Sequence, residues 1–163
     1  MHEVYLGIGG NIGNKNSNFK KVYNLINKEL GKIIKKSSVY KSPPWGFHAE
    51  EHFWNQVLLI ETKSLPEELL HKIYHIQNLF KREIACGRYA SREMDIDILY
   101  FDNNILESEE LVIPHPQIQN RLFVLVPLNE IAPDFKHPLL GLSSFELLDI
   151  CEDDSTVTKI ESF

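Results

Sequence analysis

The 163 residues are 43% hydrophobic and 25% charged, with 17 basic against 23 acidic side chains and a net charge of −6. Residues 1–163 read as one globular domain with a sizeable core, and the acidic balance argues against a nucleic-acid surface, which needs a basic stripe. The longest apolar runs, Val57 to Ile60 and Leu122 to Leu128, fall far short of the roughly 20 residues that cross a bilayer. Neither a basic leader nor a cleavable apolar segment follows Met1, so a cytoplasmic protein without membrane partners is expected. Cys86 and Cys151 lie far apart and form no C-x-x-C pair, which points to neither a disulfide framework nor a zinc site.

In chain order, Glu3 to Gly9 predicts a strand, and the Gly-rich stretch Gly9 to Asn14 a loop with close backbone approach. Phe19, Val22, Tyr23, Ile26 and Leu30 then share one helical face, with Asn16 or Ser17 as cap and Gly31 as terminator. Lys32 to Tyr40 is strand-like until Pro43-Pro44 removes two backbone donors. Phe53 to Glu61 predicts a buried strand. Ser64 and Glu67 have capping-box spacing before a helix whose stripe is Leu69, Ile73, Ile76 and Phe80. After a polar loop over 81–93, Met94 to Phe101 predicts a strand, with a turn at 102–104 and a short return strand at Ile105-Leu106. Asn120 to Ile131 and Ser143 to Cys151 predict helices, the second capped by Ser143 or Ser144. This order fits an α+β ferredoxin-like βαββαβ sandwich, an antiparallel sheet with helices on one face and extra C-terminal helices.

Two features carry chemistry. Asp95 and Asp97 stand at i and i+2 of a strand, so both carboxylates leave one face about 7 Å apart, a pattern suited to magnesium. A surface edge strand would show the same D-x-D, but these aspartates open an otherwise apolar strand, where charge needs a partner. Lys81, Arg82, Arg88 and Arg92 supply a basic cluster within twelve residues, and Arg121 joins it if folding allows. Arg92 either bridges a phosphate to the metal or simply pairs with an aspartate. His71 and His75 have ligand spacing but no evident third ligand, and read as an exposed helix face.

Taken together, Ser42-Pro43-Pro44-x-Gly46 followed by Asn55, then Arg92-x-x-Asp95-x-Asp97-Ile98, then Pro114-His115 and Asn120-Arg121-x-Phe123-Val124-Leu125-x-Pro127-Leu128 with Glu130 to Pro133, resemble the hydroxymethyldihydropterin pyrophosphokinase family. The likeness runs in order from the first strand to about residue 135, and each piece alone would be weak. The resemblance implies transfer of diphosphate from ATP to 6-hydroxymethyl-7,8-dihydropterin, releasing AMP, in folate biosynthesis by a monomer. It implies two magnesium ions held by Asp95 and Asp97, and nucleotide contacts from Arg82, Arg92, Ile98, His115 and Arg121. Phe53 and Phe123 would sandwich the pterin, Asn55 would bond its edge, and Ser42, Pro43 and Trp45 would complete that pocket. Arg82, Arg92 and Asp97 would take part in catalysis.

Some positions depart from the family pattern. Gln77 stands where an acid is usual, Ile84 where an arginine often follows Arg82, and Tyr89-Ala90-Ser91 in place of Gly-Pro before Arg92. Glu110 and Pro116 differ from common nucleotide-contacting residues. A magnesium-dependent phosphohydrolase and a non-catalytic ligand-binding module are the rival readings. The Pro-Pro loop with Phe53, Asn55 and Phe123 speaks against the first, and the paired aspartates with Arg92 against the second.

Overall fold

Burial along the first strand alternates between two cores rather than between core and solvent. In the computed structural model, which describes residues 1–43, 51–82 and 91–161, β1 (His2–Gly10) lies between β4 (Phe53–Thr62) and β5 (Asp95–Phe101), antiparallel to both. Val4, Leu6 and Ile8 face one core and Tyr5 the other, as the period-2 geometry of a strand requires. The main sheet runs β5-β1-β4-β3-β8, with β3 at Tyr40–Ser42 and β8 at Thr158–Lys159, while β2 (Lys32–Lys36) also pairs with β4. The antiparallel ferredoxin-like arrangement expected from the element order is therefore present.

Helices cover both faces, not one. α1 (Lys15–Glu29) and α2 (Pro66–Gln77) bury Phe19, Val22, Ile26, Leu69, Ile73 and Ile76 against Leu58, Ile60, Ile96 and Ile98. On the opposite face, α3 (Leu122–Ile131) and α4 (Ser144–Ile150) bury Val124, Leu125, Leu128 and Leu147 against Tyr5, Leu59, Leu99 and Tyr100. Each such aliphatic side chain contributes about 1.5–3 kcal/mol when withdrawn from water. Two buried layers explain why β4 carries an unbroken apolar run instead of alternating with polar residues. No helix among the described residues is long and apolar enough to cross a membrane.

Several boundaries differ from expectation for identifiable reasons. The cap of α1 is Asn14, whose side chain accepts from the Ser17 N–H at 3.1 Å, so neither Asn16 nor Ser17 caps it. In α2 the N-cap is Leu65, because Pro66 takes the first helical position and the residue before a proline is held extended. Glu68 accepts from the Leu65 N–H at 3.2 Å, whereas Ser64 accepts from Lys72 at 2.9 Å. The second strand divides into β2 and β3 at Ser37, which turns its side chain inward to accept from the Val57 N–H at 3.0 Å. The return strand forms as β6 (Leu106–Glu107) but pairs with β7 (Val112–Ile113), apart from the main sheet. α3 is preceded by a 3-10 turn over Ile118–Asn120, and Ser143 caps α4 with a complete capping box to Glu146.

Gly31 stops α1 through proximity rather than a left-handed cap: a Cβ there would lie 2.1 Å from the Glu61 carbonyl oxygen. Gly31→Ala must push helix and sheet apart, so it should cost roughly 1–3 kcal/mol of stability. Urea denaturation monitored by circular dichroism will measure that loss.

Candidate active site

On the α3 face of β1, Tyr5 is followed by Gly7 and Gly9, and there the strand carries no side chain. Register places Asn55, Gly9 and Asp95 on one rung and Val57, Gly7 and Asp97 on another. Across this bare backbone the amide of β4 and the two carboxylates of β5 look into one hollow. The cavity, about 340 Å³, is also lined by Ser42, Pro43, Phe53, Arg92, His115, Arg121 and Phe123. A Cβ at Gly9 would stand 2.6 Å from Asn55 Oδ1, so the amide and the glycine share space that no larger residue leaves open.

On the amide side, Asn55 Nδ2 donates to Ser42 Oγ at 2.7 Å, and both residues are buried. The Ser42 side chain, not only its backbone, thus orients Asn55. Phe53 is the first residue of β4 and Phe123 the second of α3, and the Arg121 guanidinium lies 5.4 Å from the Phe123 ring centre in a cation–π contact.

On the carboxylate side, Asp95 is ion-paired. Arg92 Nη1 reaches it at 2.7 Å and Arg82 Nη2 at 3.6 Å, a realisation of the simple pairing that the sequence left open. Arg82 is half exposed and touches the site through this pair. Asp97 is enclosed more deeply. Burial first, and the neighbouring Asp95 second, push its carboxyl from 3.8 up to about 7, while Arg121, Arg92 and Arg82 pull the other way. Positive charge inside the hollow would relieve that cost. His115 is the reverse case: burial, then Arg121, lower its imidazole from 6.5 to about 4. Its Nδ1 accepts from the Gln117 N–H at 3.1 Å, so at neutral pH the ring is uncharged with its proton on Nε2, a hydrogen-bond donor rather than a cation.

Ile98 does not face the cavity. Its side chain is buried in the α1/α2 core, so any part it has in nucleotide binding passes through its backbone. Trp45 and Arg88, like Pro44, Gly46, Ile84, Cys86, Tyr89 and Ala90, lie outside the described residues. His71 pairs with Glu110 at 3.5 Å on the exposed α2 surface, and no group of three or more metal-ligating side chains occurs among the described residues.

Two positioning residues escape a reading by composition. Asn11, fully buried, accepts from the Arg92 N–H at 2.9 Å, donates from Nδ2 to Ser91 Oγ at 3.0 Å, and sends its own N–H to the Arg92 carbonyl at 2.9 Å. It therefore clamps the chain that carries Arg92. An asparagine next to a glycine pair at a strand end was the available signal. Gln77, where the family pattern favours an acid, accepts from the Ile96 N–H at 2.7 Å between the two aspartates. Its amide oxygen holds the outer edge of β5 without adding negative charge there.

With this geometry in place the family can be stated. Residues 5–133 match the sequence profile of 7,8-dihydro-6-hydroxymethylpterin-pyrophosphokinase (HPPK). The chain belongs to this family. It is 38% identical over 139 residues to the 2-amino-4-hydroxy-6-hydroxymethyldihydropteridine pyrophosphokinase of Aquifex aeolicus, covering 85% of this chain and 86% of that one. With the Bacillus subtilis protein of the same name the identity is 35% over 129 residues, covering 78% and 77%. The fold is shared with the solved Plasmodium falciparum HPPK-DHPS, crystallised with pteroate: TM-score 0.74 at 16% identity over 91% of this chain, which spans 44% of that longer one.

Because the Asp97 carboxyl titrates near pH 7 when folded and near 3.8 otherwise, the folded HPPK chain binds the extra proton between those values. Its contribution to stability is highest below about pH 4 and is lost as pH rises toward 7. Asp97→Asn, which has no such titration, should lose less melting temperature than the parent between pH 5 and pH 7 without ligands. Paired thermal melts across that range will test the sign.

Proposed function

We propose that this HPPK chain transfers diphosphate from ATP to the hydroxymethyl group of 6-hydroxymethyl-7,8-dihydropterin, releasing AMP, as a step of folate biosynthesis. The observation that supports it most is the rung Asn55–Gly9–Asp95. It sets a pinned amide suited to a heterocycle edge beside a carboxylate and arginine cluster suited to a polyphosphate, in one cavity.

At the amide end, Asn55 offers both a donor and an acceptor chemistry to the planar edge, with Ser42 fixing its orientation, while the Phe53 and Phe123 rings supply flat apolar faces. Pro43 and Trp45 are read as completing that wall. At the other end Arg82, Arg92 and Arg121 carry fixed positive charge toward the phosphates, and neutral His115 donates from Nε2. Asp95 and Asp97 fit magnesium, since they are hard oxygen donors on one strand face and Asp97 is held short of compensating positive charge. When bound with ATP, two magnesium ions would neutralise phosphate charge. Asp95 and Asp97 would hold the ions from the protein side, and phosphate oxygens and water would be expected to provide the other ligands.

The reaction needs no protein nucleophile. The hydroxymethyl oxygen forms a bond to the β-phosphorus as the bridging bond to AMP breaks in line, and the hydroxyl proton is released. The protein contributes alignment of the two reactants and preorganised charge. In the ligand-free protein Asp95 keeps Arg82 and Arg92 docked at the site. Phosphate oxygens would compete for the same guanidinium contacts, which would leave Asp95 able to hold metal. The unit is read as a single-domain cytoplasmic monomer acting on small molecules, without nucleic-acid or membrane partners.

Incubation with ATP, magnesium and hydroxymethyldihydropterin should yield pterin-dependent AMP, whereas a phosphohydrolase would release phosphate without the pterin. Asp95→Ala or Asp97→Ala should abolish turnover in a folded protein. Arg92→Ala should lower the rate by about two to four powers of ten, by analogy with other arginines that stabilise phosphoryl transfer, with far less effect on pterin binding. Arg92→Lys should recover only part, because an ammonium cannot reproduce a planar bidentate contact. Steady-state kinetics will check these rates. Phe123→Ala should weaken pterin binding by roughly 1–3 kcal/mol if stacking on a base is a guide, as calorimetric titration will show.

A further inference from the structure

The family match ends at residue 133, yet the segment that follows α4 reaches two walls of the cavity. Cys151 packs on the α3/α4 core. Two residues later, Asp153 Oδ2 accepts from the backbone N–H of Leu122, the first residue of α3, at 3.0 Å. That N–H has no partner within the helix, and Arg121 in the N-cap position cannot cap it, because a guanidinium only donates. Ser155 holds the other carboxylate oxygen through its backbone N–H at 2.9 Å and through its hydroxyl. The carboxylate is thus oriented from one side and spent on the helix from the other.

Beyond Ser155 the chain pairs with β3: Thr158 with Lys41 and Lys159 with Tyr40, and the Ile160 N–H donates to the Val39 carbonyl at 2.8 Å. β3 ends at Ser42, the residue that orients Asn55, and α3 begins with Leu122 and Phe123. One short segment therefore joins the amide wall to the helix that presents the aromatic face. The far end of α3 is tied to the same region independently, since Glu130 accepts from the Ser38 N–H at 2.9 Å and from the Tyr40 hydroxyl. What Asp153 adds is control of the first turn.

We propose that Asp153 is a positioning residue for the pterin end of the cavity: it fixes the first turn of α3, and with it the Phe123 ring, relative to the Ser42–Asn55 wall. A helix whose leading N–H is capped starts at a defined residue, whereas an uncapped one frays through its first turn. Phe123 sits in that turn, so fraying would blur one of the two aromatic faces that a flat heterocycle needs held at fixed spacing. The inference rests on the functional reading above for the identity of the ligand, but its structural half stands on Leu122 and Asp153 alone.

The test uses the full chain and three variants. Asp153→Ala should raise the dissociation constant for 6-hydroxymethylpterin by about fivefold, the scale of a lost helix cap, with a clearly smaller change for a non-hydrolysable ATP analogue with magnesium. Asp153→Asn should restore most of the affinity, since an amide oxygen caps as well as a carboxylate. Amide hydrogen exchange at Leu122 and Phe123 should speed up by a similar factor of about five in Asp153→Ala, with exchange in β5 unchanged. Should that variant fail to fold, Ser155→Ala removes only the orienting contact and should shift both readouts in the same direction, less far. Unchanged pterin affinity, or equal losses for both ligands that track the melting temperature and are not rescued by asparagine, would overturn the proposal. A parent that binds no pterin contradicts the functional reading instead. The exchange measurement then decides the positioning role by itself, unchanged rates at Leu122 and Phe123 overturning it.

Discussion

Gly7 and Gly9 leave β1 without side chains where α3 gives way to the cavity, and the Asn55 amide and the Asp95 and Asp97 carboxylates face each other across that gap. Any side chain at Gly9 would collide with the Asn55 amide, and the two rungs flanking the glycines carry Asn55 on one neighbour and Asp95 and Asp97 on the other. The antiparallel ladder therefore does what no local motif can. It brings residues some forty positions apart into one layer, at separations set by the strand spacing.

Charge in that layer is paired and positioned by the protein's own side chains. Asp95 takes up Arg92 and Arg82, which keeps the basic groups from swinging into solvent. Among the described residues Asp97 has no comparable contact, and burial with the neighbouring Asp95 raises its proton affinity. His115 contributes direction rather than charge, because its Nδ1 is occupied by the Gln117 backbone. Such preorganisation matters more than the number of charges, since groups fixed before the reaction need no reorganisation during it.

Around the site lies a set of polar contacts that hold the chain in place. Asn11 grips the segment before β5 that carries Arg92, Gln77 holds the free edge of β5 between the aspartates, Ser42 turns Asn55, and Glu130 and Asp153 tether the two ends of α3. The Ser42–Asn55 contact is buried and those of Asn11, Gln77 and Asp153 are partly so, and loss of a buried partner costs about 1–3 kcal/mol. The precision of the cavity is thus carried by residues that line little of it.

How much of this was legible in the amino-acid order depends on the range of the physics involved. Strand periodicity, the stripe of α2, the D-x-D on an apolar strand and the spaced Pro-Pro, Asn55, Arg92 and Asn120 to Leu128 elements are local or ordered patterns, and they were enough to indicate the fold class, the family and most of the cavity residues. Helix boundaries around Asn14 and Leu65 shifted by one to three residues because caps are decided by which neighbour the backbone can actually reach. The second helical layer, the detached β6–β7 hairpin, the β8 strand, the inward-facing Ile98, the neutral His115 and the linking roles of Asn11, Gln77 and Asp153 belong to tertiary structure alone. Each depends on a contact between positions distant in sequence, or on burial that shifts a proton, and neither leaves a periodic trace along the chain.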